Sequence, residues 1–219
     1  MCEMQIDVNT DLTDFNERLA AENQALLHSH GIRTLNIMGS PGSGKTTLLE
    51  NLLPILAKRF RIAVIEGDLA TRNDAERIEK MGITACQINT DGGCHLDAHM
   101  VHHQLEHLPL DDLDLVIIEN VGNLVCPISF ALGEDFRLVV LSTAEGEDKP
   151  LKYPTAMVKT DAVVISKTDL APFVDVSVEK MTQNIKSIHP DAAVLYAGKK
   201  DGVYDCTEVA AFVADRIGK

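Results

Sequence analysis

The residues from Gly39 to Thr47 have the types and the spacing of a phosphate-binding loop. They read G-S-P-G-S-G-K-T-T, which matches the pattern G-x-x-x-x-G-K-[ST] between a predicted strand and a predicted helix. Glycines let successive backbone N–H groups face phosphate oxygens, and the following helix presents the positive end of its dipole. We predict that Lys45 bridges the β- and γ-phosphates of a nucleotide, that Thr46 binds Mg²⁺ and that Thr47 contacts another phosphate.

Two predicted strands end in carboxylates that suit a nucleotide-bound Mg²⁺ ion. The run I-A-V-I-E is followed after one residue by Asp68, and the run L-V-I-I-E ends at Glu119. Mg²⁺ takes oxygen ligands, usually with one or two carboxylates among them. Gly122 follows Glu119 by three positions, as in the loop that senses the γ-phosphate in many GTPases. We predict magnesium ligands at Thr46, Asp68 and Glu119. The predicted catalytic residues are Lys45 and Glu119. For Asp68 and Glu119, the alternative interpretation is a solvated carboxylate at the end of a strand.

The sequence S-K-T-D at 166–169 indicates which base is bound. GTPases have a similar N-K-x-D, in which the Asp accepts two hydrogen bonds from guanine and the Lys packs along the ring. Lys167 and Asp169 match this pattern, whereas Ser166 replaces the Asn. The run Ala197-Gly198-Lys199 matches a further base-contacting motif more weakly. The predicted nucleotide-binding residues are Gly39, Gly42, Ser43, Gly44, Lys45, Thr46, Thr47, Lys167 and Asp169.

Cys94, His95 and Cys126 are candidate ligands for a second kind of metal. Glycines precede Cys94, and Cys126 precedes a proline seven residues beyond Glu119, so loops are predicted to carry both thiols. Two thiolates with an imidazole suit a borderline or soft divalent ion such as Ni²⁺ or Zn²⁺. One chain offers three such ligands, so a fourth must be water or come from elsewhere. By spacing alone, buried or unused thiols remain the alternative.

The other cysteines and histidines favour simpler interpretations. Five cysteines in a chain this long do not indicate a disulfide framework. Cys86 and Cys206 are predicted to pack in apolar surroundings, and Cys2 has no clear assignment. The histidines at 95, 99, 102 and 103 recur at helical spacing. We favour a solvated helix face for them over a second, looser metal site.

The elements that position these residues alternate between strands and helices. The strand runs are mostly continuous and apolar, as in strands covered on both faces. This order predicts an α/β fold of the P-loop NTPase type, with a mostly parallel sheet, helices on both faces and an N-terminal helix. The predicted strands are 34–38, 62–66, 115–119, 138–143, 162–166 and 193–197. The predicted helices are 13–30, with Gly31 as its stop, 45–58, 73–81, 96–107, 177–188 and 207–217. We divide the chain into a tail and helix over 1–31 and a nucleotide-binding domain over 32–219.

Composition restricts the partners of the protein. The 219 residues include 20 Lys and Arg against 33 Asp and Glu, a net charge of −13. Such a surface repels phosphate backbones, so we expect no nucleic-acid partner. Apolar stretches are far shorter than the roughly 20 residues of a membrane helix, and the N-terminus does not read as a signal peptide. We therefore expect a cytoplasmic protein without a membrane partner.

These motifs together resemble the hydrogenase-maturation nickel-insertion GTPases of the HypB type. The matching stretches, in the order of that family, are GSPGSGKTT, EGDLATRNDAERI, NTDGGCHLDA, LVIIENVGNLVCP, AEGEDKPLKYP and SKTDL. The resemblance covers nearly the whole chain from about residue 12. It implies slow GTP hydrolysis, a homodimer favoured by GTP, and nickel or zinc held at the dimer interface by Cys94, His95 and Cys126. The implied partners are hydrogenase maturation proteins and the hydrogenase large subunit.

The resemblance also implies a mechanism, with alternatives that remain open. The γ-phosphate of GTP would fix the loop from Glu119 to Cys126, so nucleotide state and metal affinity would depend on one segment. One alternative is a related GTPase metallochaperone for urease or for a cobalamin enzyme. Another is a small-molecule P-loop kinase, which needs an acceptor pocket and commonly an arginine-bearing lid. A third is a nucleotide-binding module whose metal is incidental.

Overall fold

The computed structural model describes the backbone of residues 8–68 and 77–218 and the side chains of residues 13–67 and 77–218. The strands are β1 (Arg33–Gly39), β2 (Ile62–Asp68), β3 (Thr84–Asn89), β4 (Leu115–Glu119), β5 (Phe136–Ser142), β6 (Ala162–Ser166), β7 (Ala193–Tyr196), β8 (Gly198–Lys200) and β9 (Val203–Asp205). The first seven form one parallel sheet in the order β3-β2-β4-β1-β5-β6-β7. Strands β8 and β9 form a separate antiparallel pair.

Helices cover both faces of the sheet. They are α1 (Val8–Ser29), α2 (Lys45–Leu56), α3 (Ala98–Leu105), α4 (Lys149–Lys152), α5 (Pro154–Val158), α6 (Val178–Ile188) and α7 (Thr207–Ile217). Residues 77–79 are also helical, and short 3₁₀ turns occur at Leu110–Asp112, Pro127–Ser129, Thr143–Glu145 and Thr168–Phe173. In the part of the chain that the structure describes, no helix has the length and apolar content needed to cross a membrane.

Alternating residues along the strands enter different parts of the core. On β4, Leu115 and Ile117 pack into the cluster that contains Leu48 of α2 and Val213 of α7. Their neighbours Val116 and Ile118 pack into another cluster, which contains Leu27 of α1 and Val101 of α3. A third cluster joins Met157 of α5 and Met181 of α6 to β5 and β6. Burial on both faces explains why these strands read as continuous apolar runs.

The predicted P-loop NTPase-type α/β fold, with its parallel sheet and N-terminal helix, is confirmed. The predictions missed β3, which lies at an edge of the sheet and has mostly half-buried side chains, and they missed the hairpin of β8 and β9. Helix α1 begins five residues before the predicted start, and only 77–79 of the predicted helix 73–81 lie among the described residues. The chain leaves α1 through Gly31, whose φ of 70° is the left-handed conformation expected after a helix. The division at residues 31 and 32 falls between α1 and β1 and stays a prediction.

Candidate functional site: a phosphate-binding loop beside a cysteine–histidine cluster

The connection from β1 to α2 has the backbone that the phosphate-binding sequence predicts. Gly42 and Gly44 have φ values of 73° and 92°, which other residues rarely adopt. Gly39 is required for a different reason. A Cβ there would lie 2.6 Å from both the carbonyl oxygen of Val140 and the Oγ of Ser43. The loop therefore packs directly against the end of β5, and glycine allows that contact.

Lys45 lies inside this loop. Its Nζ donates hydrogen bonds to the carbonyl oxygens of Gly39 at 3.2 Å and Ser40 at 3.4 Å. Burial lowers the pKa of Lys45, and the carboxylates of Glu119, Glu145 and Glu66 partly offset that effect. A buried cation at the N-terminus of α2 suits a nucleotide phosphate.

Two of the three predicted magnesium ligands are in contact. Thr46 donates a hydrogen bond from its Oγ1 to Oε1 of Glu119 at 2.7 Å. Asp68 is the last residue of β2, and its side chain lies outside the described part of the chain. The hydroxyl and the carboxylate are hard oxygen ligands of the type that Mg²⁺ prefers, so these residues fit the ion. When bound there, Mg²⁺ would neutralise charge on the phosphates.

The end of β6 is joined to the phosphate-binding loop. Ser166 is fully buried, and its Oγ donates a hydrogen bond to the carbonyl oxygen of Ser43 at 2.5 Å. Lys167 has a φ of 54° and donates from its Nζ to the carbonyl oxygen of Gly42 at 2.7 Å. Ser166, which stands where N-K-x-D has asparagine, therefore bonds directly to the phosphate-binding loop.

Asp169 lines a cavity of about 330 Å³ next to this junction. Its Oδ1 accepts a hydrogen bond from the backbone N–H of Lys199 at 2.9 Å. A Cβ on Gly198 would lie 2.5 Å from Oγ1 of Thr168 and 2.8 Å from Oδ1 of Asp169. The weakly matching run at 197–199 thus lies beside the predicted base-binding carboxylate.

The three predicted metal ligands lie together. One ligand atom from each of Cys94, His95 and Cys126 lies within 4.8 Å of the others, and the Cys94 Sγ lies 3.5 Å from Nδ1 of His95. A hydrogen bond with the Cys126 thiol is the main factor that raises the pKa of Cys94. Burial lowers the pKa of His95, which favours the neutral imidazole that binds metals. The His95 ring stacks on Phe130 with centroids 3.9 Å apart. The cluster has the donor chemistry for Ni²⁺ or Zn²⁺.

Two asparagines connect the cluster with the nucleotide side, and sequence reasoning assigned them no role. The backbone of Asn123 pairs with Gly39, and its Nδ2 donates to the carbonyl oxygen of Cys94 at 3.2 Å. Buried Asn120 accepts from the backbone N–H of Leu96 at 3.3 Å. Both lie in the matched stretch LVIIENVGNLVCP. The spacing of seven residues between Glu119 and Cys126 pointed to this segment, but it did not predict the contacts of the two asparagines.

Two of the remaining cysteines pack as predicted, whereas one histidine does not lie where the sequence predicted it. Cys206 is 1% exposed, and Cys86 packs against the core at its margin. The prediction of a solvated histidine face was wrong for His102, whose Nδ1 lies 2.7 Å from Oδ1 of Asn23 on α1. Helix α3 packs against α1 at this point, so His102 is half-buried, whereas the histidines at 99 and 103 are exposed. Cys2 lies outside the described residues.

The fold and this site define a P-loop nucleotide-binding protein with a cysteine–histidine cluster. The family model described as "CobW/HypB/UreG, nucleotide-binding domain" matches residues 33–196. A probable hydrogenase maturation factor HypB of Methanocaldococcus jannaschii is 47% identical over 89% of this chain and 88% of its own. The chain therefore belongs to the CobW/HypB/UreG family and, within it, to the HypB type.

Two further comparisons bear on length and on metal. The hydrogenase maturation factor HypB of Azotobacter vinelandii is 47% identical over 89% of this chain, which spans 64% of that longer protein. A crystal structure of HypB from Helicobacter pylori in complex with nickel superposes with a TM-score of 0.86 at 41% identity. It covers 92% of this chain and 94% of its own.

Proposed function

We propose that this protein is a GTP-hydrolysing nickel metallochaperone that assists nickel insertion during [NiFe]-hydrogenase maturation. One observation carries the proposal. The segment that begins at Glu119, in contact with Thr46 of the phosphate-binding loop, ends seven residues later at Cys126 in the cysteine–histidine cluster. A change that the nucleotide imposes on this segment would therefore act on a proposed metal ligand.

The nucleotide half of the proposal rests on the loop and on the S-K-T-D segment. GTP is the substrate, with guanine at Asp169 and Lys167 and the phosphates at the loop from Gly39 to Thr47. Thr46, Glu119 and Asp68 would hold Mg²⁺ beside the phosphates. Lys45 and Glu119 are the proposed catalytic residues. Lys45 stabilises negative charge on the γ-phosphate, and Glu119 acts as a ligand of Mg²⁺. We expect slow turnover, because neither an arginine finger nor a base for the attacking water is evident among these residues.

The metal half rests on the donor set. Cys94, His95 and Cys126 hold Ni²⁺ as cargo, and Zn²⁺ can occupy the same ligands. Three ligands from one chain leave room for more from a second copy, so we propose a homodimer that GTP favours. The nickel-bound HypB of Helicobacter pylori supports nickel as the cargo.

The two halves are coupled by linkage. If GTP changes the affinity of the cluster for nickel, then nickel changes the affinity for GTP by the same factor. Hydrolysis would relax the segment from Glu119 to Cys126 and release nickel to a partner. The names of the matched relatives place them in hydrogenase maturation, so we propose that the partners are maturation proteins and the hydrogenase large subunit. The proposed location is the cytoplasm.

The test is a Ni²⁺ titration of reduced protein in the presence of GDP or a non-hydrolysable GTP analogue. Thiolate-to-nickel charge-transfer absorption reports binding at the cysteines, and light scattering reports the oligomeric state. We expect a thiolate-bound site whose affinity or stoichiometry changes with nucleotide, together with dimer formation. Identical weak binding in both nucleotide states contradicts the proposal. Hydrogenase activity is also measured in cells whose only copy of this protein is Cys94→Ala. Activity equal to that of wild-type cells contradicts the role of the cluster.

A further inference from the structure

Helix α1 presents two buried asparagines toward the segments that carry the metal ligands. Asn16 and Asn23 are seven residues apart, about two helical turns, so they lie on one face of the helix. Their exposed fractions are 7% and 0%. A buried side-chain amide is costly unless it is hydrogen-bonded, so the partners of these amides show what this face of α1 holds in place.

Both amides bond to Ala98, which is the first residue of α3 and follows His95 by three positions. The backbone N–H of Ala98 donates to Oδ1 of Asn16 at 2.8 Å. Its carbonyl oxygen accepts from Nδ2 of Asn23 at 2.9 Å. Both backbone polar groups of Ala98 are therefore fixed by α1, close to where the chain leaves Cys94 and His95.

The same two amides reach the segment that follows Cys126. Nδ2 of Asn16 donates to the carbonyl oxygen of Ala131 at 2.9 Å, and Nδ2 of Asn23 donates to that of Leu132 at 3.0 Å. Each asparagine thus connects the segment after His95 with the segment after Cys126. Along the chain these contacts span 75 to 115 residues.

A glycine lets α1 come close enough to make these bonds. A Cβ on Gly133, which has a φ of 104°, would lie 2.7 Å from Cβ of Asn23 and 2.9 Å from the carbonyl oxygen of Ala20. Any side chain at Gly133 would push α1 away from the two segments. This contact gives a way to disturb the bridge without removing either asparagine.

We infer that Asn16 and Asn23 are positioning residues for nickel, which fix the distance between the Cys94–His95 segment and the Cys126 segment. The inference rests on the proposed function, and it makes α1 a part of the metal site. Groups that orient metal ligands without touching the metal commonly change metal affinity 10- to 100-fold when they are removed. We expect about a tenfold loss of Ni²⁺ affinity. Nucleotide affinity should change by less than twofold, because neither asparagine bonds to the phosphate-binding loop.

The experiment compares two disturbing variants with matched controls. Asn16→Ala is paired with Asn184→Ala, which removes another asparagine that donates to a backbone carbonyl, that of Glu147 at 2.9 Å. Gly133→Ala is paired with Gly202→Ala, where φ is also positive, 82°, but a Cβ meets nothing within 4 Å. Ni²⁺ alone is titrated into each reduced protein, the charge-transfer band is recorded, and GDP affinity is measured separately.

The expected result is a tenfold weaker Ni²⁺ affinity and an altered charge-transfer band for Asn16→Ala and Gly133→Ala, with wild-type GDP affinity and unchanged controls. Wild-type nickel binding in both disturbing variants overturns the inference. Equal losses of nickel and GDP affinity also overturn it, because they indicate general destabilisation. A wild-type protein that binds no nickel refutes the proposed function instead. If Asn16→Ala does not fold, Asn16→Asp replaces it, because aspartate accepts from Ala98 but cannot donate to Ala131.

Discussion

Replacing Ser166 with alanine should weaken the junction between the phosphate-binding loop and the base-binding segment. The Ser166 hydroxyl is fully buried and donates to the carbonyl oxygen of Ser43 at 2.5 Å, across 123 residues of sequence. The carbonyl oxygen of Leu141 lies 3.3 Å from the same hydroxyl. Alanine fills nearly the same volume, so the variant tests the hydrogen bond more than the packing.

The expected magnitude follows from burial. A hydrogen bond contributes about 1 kcal/mol net, and a buried acceptor that loses its donor costs about 1 to 3 kcal/mol. We expect the free energy of unfolding to fall by about 2 kcal/mol. GDP affinity should fall by less than tenfold, which corresponds to about 1.4 kcal/mol, because Ser166 bonds to the backbone of Ser43 and Leu141 and so acts on the nucleotide indirectly.

Urea unfolding with and without saturating GDP measures both quantities. Ser187→Ala is the matched control, because its exposed hydroxyl donates to a carbonyl within the same helix, that of Asn184 at 2.8 Å. Its unfolding free energy should change by less than about 0.5 kcal/mol. If Ser166→Ala matched the control in both unfolding free energy and GDP affinity, the hydrogen bond of Ser166 would not stabilise the junction between the phosphate-binding loop and the base-binding segment. That result would refute the structural role assigned to Ser166.

Three further predictions concern Mg²⁺, the base pocket and alkaline pH. Glu119→Gln keeps an acceptor for Thr46 but removes the negative charge that would bind Mg²⁺. The rate of single-turnover GTP hydrolysis should therefore fall more than about 100-fold. A hydrolysis rate with the same Mg²⁺ dependence as in the wild type would contradict this. Gly198→Ala should weaken GDP binding at least about tenfold by displacing Asp169. A GDP affinity equal to that of the wild type would count against the pocket. Burial raises the pKa of Cys206 to about 11, so the unfolded chain releases this proton first as pH rises above about 9. The free energy of unfolding should then fall by up to about 2 to 3 kcal/mol between pH 9 and 11, and urea unfolding of Cys206→Ala should show a shallower fall than wild type.

Much of the nucleotide side could be predicted because its signals are local. The loop from Gly39 to Lys45 has a distinctive glycine spacing, and continuous apolar runs identified six of the seven strands of the parallel sheet. The parallel arrangement then placed Glu119 and Thr46 at one edge, where the structure shows them in contact. Family resemblance, rather than spacing, indicated that Cys94 and Cys126 share a site.

The missed features have weaker or non-local signals. Strand β3 lies at an edge of the sheet and is only partly buried, so its residues do not form a continuous apolar run. The hairpin of β8 and β9 did have a local signal, the Asp201-Gly202 pair, whose positive φ values of 52° and 82° suit a two-residue turn. The role of α1 had none, because Asn16 and Asn23 bond to residues far away in sequence.

A reciprocal titration tests whether the segment from Glu119 to Cys126 couples the nucleotide site to the cysteine–histidine cluster. Ni²⁺ affinity is measured with GDP and with a non-hydrolysable GTP analogue, and nucleotide affinities are measured with and without Ni²⁺, in wild type and in Cys126→Ala. We predict that nucleotide changes nickel affinity in the wild type by the same factor by which nickel changes nucleotide affinity, and that this factor falls to about one in the variant. If both ligands bind tightly to wild-type protein and neither affects the other, the segment from Glu119 to Cys126 does not couple the two sites.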